Sequence, residues 1–393
     1  MKILQLCNKV PFPVIDGGTA AMHQLGQILI SEGYQVKILS VSTQKSKAPQ
    51  LENYAEYKNT FRPEYVFIDT SINPIYACIN LFSKRSYNIQ RFEAEQLHIK
   101  LTEVLLKEKP EVVILESLFV TPYISTIRNH STAKIILRAH NVEHRVWERF
   151  YENESGILKK TYLKLLAKRL KLYELEVLSK IDGIAAISQT DCEFFKQHKQ
   201  ANVEFIPFGV HEKSIESTKK FNPLQLYFLG AMDWQPNKEA VAWILQHLVL
   251  KLENELKNIS LTLAGTHMPE DLFKKQSGNF KVYGKIENPE TFLENYSVLV
   301  APLFSGGGLK IKVIEAMALG KLVITTPIGI EGIGATPGIH YLHCSTQQEF
   351  INAMLECQSQ PEKMQKIAEA GQDFIQREFG LSAVSARFKK LLE

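Results

Sequence analysis

Cysteine is scarce in this 393-residue chain, and it has no pattern. Cys7, Cys78, Cys192, Cys344 and Cys357 are odd in number, scattered, and never form a Cys-x-x-Cys pair. That favours free thiols in a reducing cytoplasm over a disulfide framework or a zinc site. Long apolar runs are missing too. With no stretch of eighteen apolar residues, no membrane-spanning helix is expected. Met1-Lys-Ile-Leu-Gln-Leu-Cys7 leads straight into a strand and a proline-bearing loop, so no signal peptide is expected. Charge of one sign is barely in excess: 46 Lys and Arg against 42 Asp and Glu, a net of +4. Such a balance suits anionic small substrates or a membrane surface, but it is no nucleic-acid footprint. Internal repeats and low-complexity segments are absent.

What is present is ordinary globular material. Apolar residues make up 45% of the chain, enough for two buried cores, and the length makes two domains the default. Short apolar runs read as strands at 2–7, 35–41, 65–68, 111–115, 134–137, 183–187 and 204–206, with helical patterns between them, notably 88–108 and 143–180. Strand alternating with helix implies a doubly wound α/β domain with right-handed crossovers, whose ligands bind at the carboxyl ends of strands. Gly17-Gly18 follows the first strand and points its amides toward any such crevice. Ile206-Pro-Phe-Gly-Val210 and Asn222-Pro223 bracket a polar stretch, His211–Lys220, that reads as a linker. A second series runs through strands at 224–229, 261–264, 281–283, 298–301 and 322–325, and the chain closes on helical patterns at 361–378 and 381–392.

One stretch concentrates chemistry. Tyr296–Ala301 and Lys321–Thr326 read as buried strands, and between them Gly306-Gly307-Gly308 opens a helix with Leu309, Val313, Met317 and Gly320 on one face. A glycine loop feeding a helix N-terminus offers amides and partial positive charge to a phosphate. Lys310 and Lys312 stand where the helix dipole disfavours cations, which suggests an anionic partner. The spacing matches neither the Walker loop nor the dinucleotide fingerprint. A tight turn built for packing is the plainer alternative on spacing alone.

Two further stretches carry candidate groups. His140-Asn-Val-Glu-His144 matches a zinc-protease pattern literally. That pattern needs both histidines on one helix face, whereas the strand Ile135–Leu137 runs almost into His140, and no third ligand is identifiable; no metal is expected. Lys159, Lys160, Lys164, Lys168, Arg169 and Lys171 form a basic run over an apolar stripe, readable as a solvated helix face or as a surface resting on anionic lipid.

Ala301–Gly332 resembles the nucleotide-sugar motif of glycosyltransferase family 4, the large retaining GT-B group. The match comprises Lys310, Glu315-Ala-Met-Ala318, Gly320-Lys321, Val323, Thr326, Gly329 and Glu331-Gly332. Ile206-Pro-Phe-Gly-Val210 resembles the family's hinge. Three positions depart from it: Gly307 stands where many members carry a second Glu, and Gly230-Ala231 and Pro236-Asn237 replace two expected cations, leaving Lys310 as the inferred substitute.

The resemblance implies an α/β chain of GT-B fold, with two Rossmann-like doubly wound domains facing across a cleft. They are an acceptor-side domain over 1–208 and a nucleotide-sugar domain over 209–379, with the helix at 380–393 packing back on the first. It implies a metal-independent retaining hexosyltransferase, moving sugar from a nucleoside-diphosphate donor to a hydroxyl of a glycan or lipid-linked acceptor in cell-surface polysaccharide or glycolipid synthesis. No cofactor is expected. Gly17, Gly18, Gly230, Gly306, Gly307, Gly308 and Lys310 would approach the donor diphosphate, Glu315 the ribose hydroxyls, and His140 the donor sugar; Arg138, Asn141 and Glu143 would line the acceptor side. The location implied is cytoplasmic, with peripheral contact on the inner face of the cytoplasmic membrane. Two alternatives remain open: a nucleotide-sugar epimerase or phosphorylase of the same fold, and a non-catalytic nucleotide-sugar-binding subunit.

Overall fold

Runs of four to six β-branched and aliphatic residues can be buried on both faces only in a parallel sheet covered by helices, and this chain builds two. The computed structural model describes residues 1–198, 202–210 and 220–393. The first sheet contains β1 (Lys2–Cys7), β2 (Gln35–Ser42), β3 (Glu64–Phe67), β4 (Val112–Glu116), β5 (Lys134–Ala139), β6 (Gly183–Ala186) and β7 (Val203–Phe205). Its spatial order is β3-β2-β1-β4-β5-β6-β7, all parallel. The second contains β8 (Gln225–Leu229), β9 (Ser260–Ala264), β10 (Phe280–Val282), β11 (Val298–Ala301), β12 (Leu322–Thr325) and β13 (Leu342–His343). They lie in the order β10-β9-β8-β11-β12-β13, again parallel. Strand order reverses beside β1 in one sheet and beside β8 in the other, the places where such sheets hold ligands.

The chain divides into two units, Met1–Gly209 with Ser382–Glu393, and Val210–Leu381. The final helix, Leu381–Leu392, buries Val384, Phe388 and Leu391. It joins the N-terminal unit through Lys134 Nζ, which donates to Leu392 O at 2.9 Å, and through Lys390 and Glu204 at 2.5 Å. Residues 211–219, most of the expected linker, lie outside the described residues. All five cysteines are free thiols, and no described helix is long and apolar enough to cross a membrane.

Three helical expectations are corrected. The pattern over 88–108 is two helices, Tyr87–Gln90 and Glu95–Glu108, parted at an extended Ala94. That over 143–180 is also two, Glu143–Glu152 and Ile157–Val177; Gly156 is extended and donates its N–H to Glu154 Oε1 at 3.0 Å. Asn-Glu-Ser-Gly is poor helix interior, and local hydrogen bonding wins there. The helix after the glycine loop starts only at Ile311 and runs to Ala318, with Lys310 at its N-cap. Gly306 and Gly308 precede it in left-handed conformations, φ 99° and 72°, which lie outside any helix.

Candidate functional site

In the C-terminal unit two loops meet at the carboxyl ends of β8 and β11. β8 runs into Gly230, and the next helix, Gln235–His247, carries Pro236 in its first turn, where a missing N–H costs nothing. A Cβ on Gly306 would sit 3.0 Å from Pro236, so this loop and the glycine loop are in contact. Gly265, at the end of β9, has φ 145°, and a Cβ there would lie 1.9 Å from Gly230 O. Only glycine fits. Buried Asn237 ties the pieces together: its Nδ2 donates to Ala231 O at 2.8 Å, and its Oδ1 accepts from Lys312 Nζ at 2.5 Å.

Lys310 is 3% exposed, and its ammonium donates to Gly308 O at 2.7 Å and Gly306 O at 3.2 Å. In a trans peptide the carbonyl and the following amide point opposite ways. With those two carbonyls drawn onto the lysine, the N–H groups of Gly307 and Leu309 are directed away from it. Lys310 thus shapes the loop rather than standing out from it. Lys312 is the second cation. Its ammonium lies 4.5 Å over the Phe228 ring, and burial pushes it down to about 7 against the pull of Glu315. Glu315, one turn on, keeps an exposed side chain, yet desolvation still raises its carboxyl, with Lys312 opposing. The result is a helix terminus with outward amides and a readily protonated amine, Lys312, beside it, an arrangement that favours an anion.

The N-terminal unit gathers a different set at the carboxyl ends of β1, β4 and β5. Register places Cys7 opposite Glu116 and Glu116 opposite Arg138. Glu116 is fully buried; one oxygen accepts from Gln5 Nε2 at 2.6 Å, and the other meets His140 Nε2 at 2.7 Å. Burial pushes its carboxyl up, but Arg138, His140 and Gln5 outweigh that and hold it below its ordinary value. With Nε2 engaged, Nδ1 is the nitrogen through which half-buried His140 can address a substrate. Glu116 was missed in the sequence. Its signal was there: a carboxylate ending an otherwise apolar strand, Val112-Val-Ile-Leu-Glu116.

The other expected residues fall in place unevenly. Arg138, expected on the acceptor side, is only 1% exposed and lies 3.8 Å from Glu116. Its Nε and Nη1 are buried with no hydrogen-bond partner. Glu143, expected on the same side, is buried too, beside Glu174, and burial first, then Glu174, pushes its carboxyl up to about 8. Glu174 caps the helix Glu143–Glu152 from outside, accepting from Glu143 N at 3.0 Å and meeting His144 Nδ1 at 2.5 Å. The two histidines of the zinc-like pattern therefore serve separate carboxylates. Asn141 is half-buried between them and bonds Glu143. Gly17 and Gly18 open the helix Gly17–Ser31, with Asp16 accepting from Thr19 N at 2.8 Å as its cap and Lys9 pairing with Asp16 at 2.6 Å. The amides of that turn thus share their position with a neutralised carboxylate, a feature the Gly-Gly pair did not reveal.

Residues 223–360 match the family described as Glycosyl transferases group 1. The matched stretch covers most of the C-terminal unit, Val210–Leu381. Gly230, the glycine loop, Lys310, Lys312 and Glu315 all lie within it. Over nearly its whole length the chain is 23% identical to an uncharacterized 44.6 kDa protein in the cps region of Klebsiella pneumoniae, covering 99% of each. Among solved structures it is similar to Anabaena HepE in complex with UDP, at TM-score 0.66 and 14% identity, covering 100% of this chain and 99% of that one. A mutant of S. aureus TarM, in a complex that contains UDP, gives 0.67 at 12%, covering 100% and 99%. Sucrose-phosphate synthase from Thermosynechococcus elongatus gives 0.66 at 15%, covering 100% and 98%. These likenesses speak for the fold: two Rossmann-like parallel sheets of GT-B type.

Proposed function

We propose that this protein is a glycosyltransferase moving a sugar from a nucleoside-diphosphate donor to a hydroxyl of a glycan or lipid-linked acceptor, in the synthesis of a cell-surface polysaccharide or glycolipid. The reading rests on the glycine loop: carbonyls drawn onto Lys310, amides of Gly307 and Leu309 turned outward, and Glu315 one turn further along the same helix. A diphosphate fits the amides and the helix terminus, and a carboxylate suits a vicinal diol such as ribose. The relative from a cps region and the UDP-bound structures of similar fold support the substrate class.

The chemistry follows as front-face displacement with retention. The acceptor oxygen bonds to the anomeric carbon, the bond from that carbon to the β-phosphate oxygen breaks, and the acceptor proton passes to the departing diphosphate. Negative charge grows on that leaving group, and preorganised amides are the device that stabilises it. Lys312, held near neutrality in the free protein, would take a proton as the diphosphate arrives, supplying a cation without a metal. His140, oriented by Glu116, is assigned to the donor sugar.

The test is release of nucleoside diphosphate from a panel of sugar nucleotides, with and without pooled glycan and lipid-linked acceptors. Acceptor-dependent release is expected, and Lys310→Ala, which frees the carbonyls of Gly306 and Gly308 and so misdirects the loop amides, should lower it by ~10²–10³. Conversion of a sugar nucleotide to its epimer without acceptor, read by product analysis, would point instead to an epimerase. Nucleotide binding without any transfer would point to a non-catalytic subunit.

A further inference from the structure

The N-terminal unit exposes apolar side chains where a water-soluble surface has no use for them. Pro74–Leu81 is a short helix, Pro-Ile-Tyr-Ala-Cys-Ile-Asn-Leu, of which Asn80 alone is buried. Ile72, Ile75, Tyr76 and Ile79 are each 60–69% exposed, and Phe82, just past its end, is 95% exposed. The helix is not loosely hung. Asn73 caps it through Ile75 N at 2.9 Å, and Arg169 of the helix Ile157–Val177 donates to Asn80 O at 2.8 Å and Leu81 O at 2.9 Å. An apolar element pinned in place with its apolar side outward is made to meet something.

The long helix says what. At 3.6 residues per turn, Leu158, Leu165 and Leu172 fall on one line, and the outer two are exposed, Leu158 at 90%. That ridge lies between the flank bearing Arg169, which holds the short helix, and a stripe of exposed lysines: Lys160, Lys164, Lys168 and Lys171. The stripe stands roughly 100° around the helix from the ridge. Lys84 and Arg85 follow Phe82 in the chain, and Arg85 pairs with Glu93. The surface is thus apolar along the short helix and the leucine ridge, and cationic along the lysine stripe that flanks them. That layering matches an anionic bilayer, with acyl chains under the apolar strip and phosphates at the level of the lysines. A second copy of this chain would cover the apolar strip but bring lysines to lysines.

We propose that this face, formed by Ile72–Phe82 and the outer side of Ile157–Val177, docks the protein on an anionic lipid surface, with Ile75, Tyr76, Ile79 and Phe82 entering the interface. The short helix leaves the carboxyl end of β3, the same edge of the sheet at which His140 stands. The inference stands apart from the transferase reading, since binding to lipid needs neither donor nor acceptor.

The experiment is co-sedimentation of the full chain with vesicles of 3:1 phosphatidylcholine and phosphatidylglycerol, and with phosphatidylcholine alone. Wild type is expected to sediment with the first and much less with the second, and to be released by salt. The triple variant Lys164→Gln/Lys168→Gln/Lys171→Gln should bind about a hundredfold more weakly, at ~1 kcal/mol per lysine. Ile75→Ser/Ile79→Ser/Phe82→Ser should lose binding by about tenfold or more with an unchanged melting temperature, because these side chains are exposed in the folded protein. No binding to anionic vesicles overturns the proposal. So does equal binding by wild type and both triple variants, or a dimer in sedimentation velocity that the serine variant abolishes while vesicles fail to bind.

Discussion

Lys312 offers the sharpest test of the electrostatics. In the folded chain its ammonium is wedged between the Phe228 ring and Asn237, and burial takes it from an ordinary 10.5 down to about 7. In the unfolded chain it titrates near 10.5, so between about pH 7 and 10.5 the unfolded state holds the extra proton. Stability contributed at this position is therefore lowest below pH 7, rises through that window, and is fully recovered above 10.5. At 1.36 kcal/mol per unit the ceiling is about 5 kcal/mol. Part of the lysine stem reaches solvent, so ~2–3 kcal/mol is the change to expect. Urea unfolding of wild type and Lys312→Met at pH 7, 8, 9 and 10 measures it. Met keeps the stem and removes the charge, so its advantage should be largest at pH 7 and shrink at higher pH. A wild-type-to-variant difference that stays flat across the window would refute the reasoning. The same amine should take up a proton when nucleoside diphosphate binds at pH 8, visible by calorimetry in buffers of different ionisation enthalpy and absent in Lys312→Met.

Glu143 runs the other way. Raised to about 8, it binds its proton in the folded state between pH 4.5 and 8, so its contribution falls as pH rises through that range. Glu143→Gln should then be more stable than wild type above pH 8, and a variant that gained nothing there would count against the burial of that carboxyl. Glu116→Gln leaves Arg138 buried without a counter-charge and should cost about 3–5 kcal/mol in denaturant unfolding; Glu116→Gln/Arg138→Met should recover most of it. Gly265→Ala forces a Cβ to 1.9 Å from Gly230 O at φ 145°, and a loss of about 4 kcal/mol or more is expected. A thermal melt within a few degrees of wild type would contradict that geometry.

The strands were legible because each is a compact apolar run, and all but β13 stand within two residues of their expected bounds. β13 is Leu342–His343 alone, too short to leave a pattern. Helix breaks were harder. Between Glu143 and Val177 the apolar spacing continues across Asn153–Gly156, and only local hydrogen bonding interrupts it. At the glycine loop the motif located the right residues but not their posture. Apolar spacing carried the helix back to Leu309, whereas the left-handed glycines push its start to Ile311 and fold Lys310 inward. Long-range pairing was out of reach. That Glu116 meets His140 across two strands, or that Glu174 caps a helix thirty-one residues upstream, depends on sheet order and packing, which periodicity does not encode.

The proposed function puts a nucleoside diphosphate on the glycine loop, with Glu315 holding the ribose. It is tested most directly by thermal unfolding of wild type and Glu315→Ala against UDP, GDP, ADP, CDP, dTDP and their sugars. At ~100 times its dissociation constant a ligand stabilises by ~2.7 kcal/mol. The expected result is a clear upward shift with one nucleotide in wild type that Glu315→Ala loses. No shift with any nucleotide, or an equal shift in both proteins, would contradict the account.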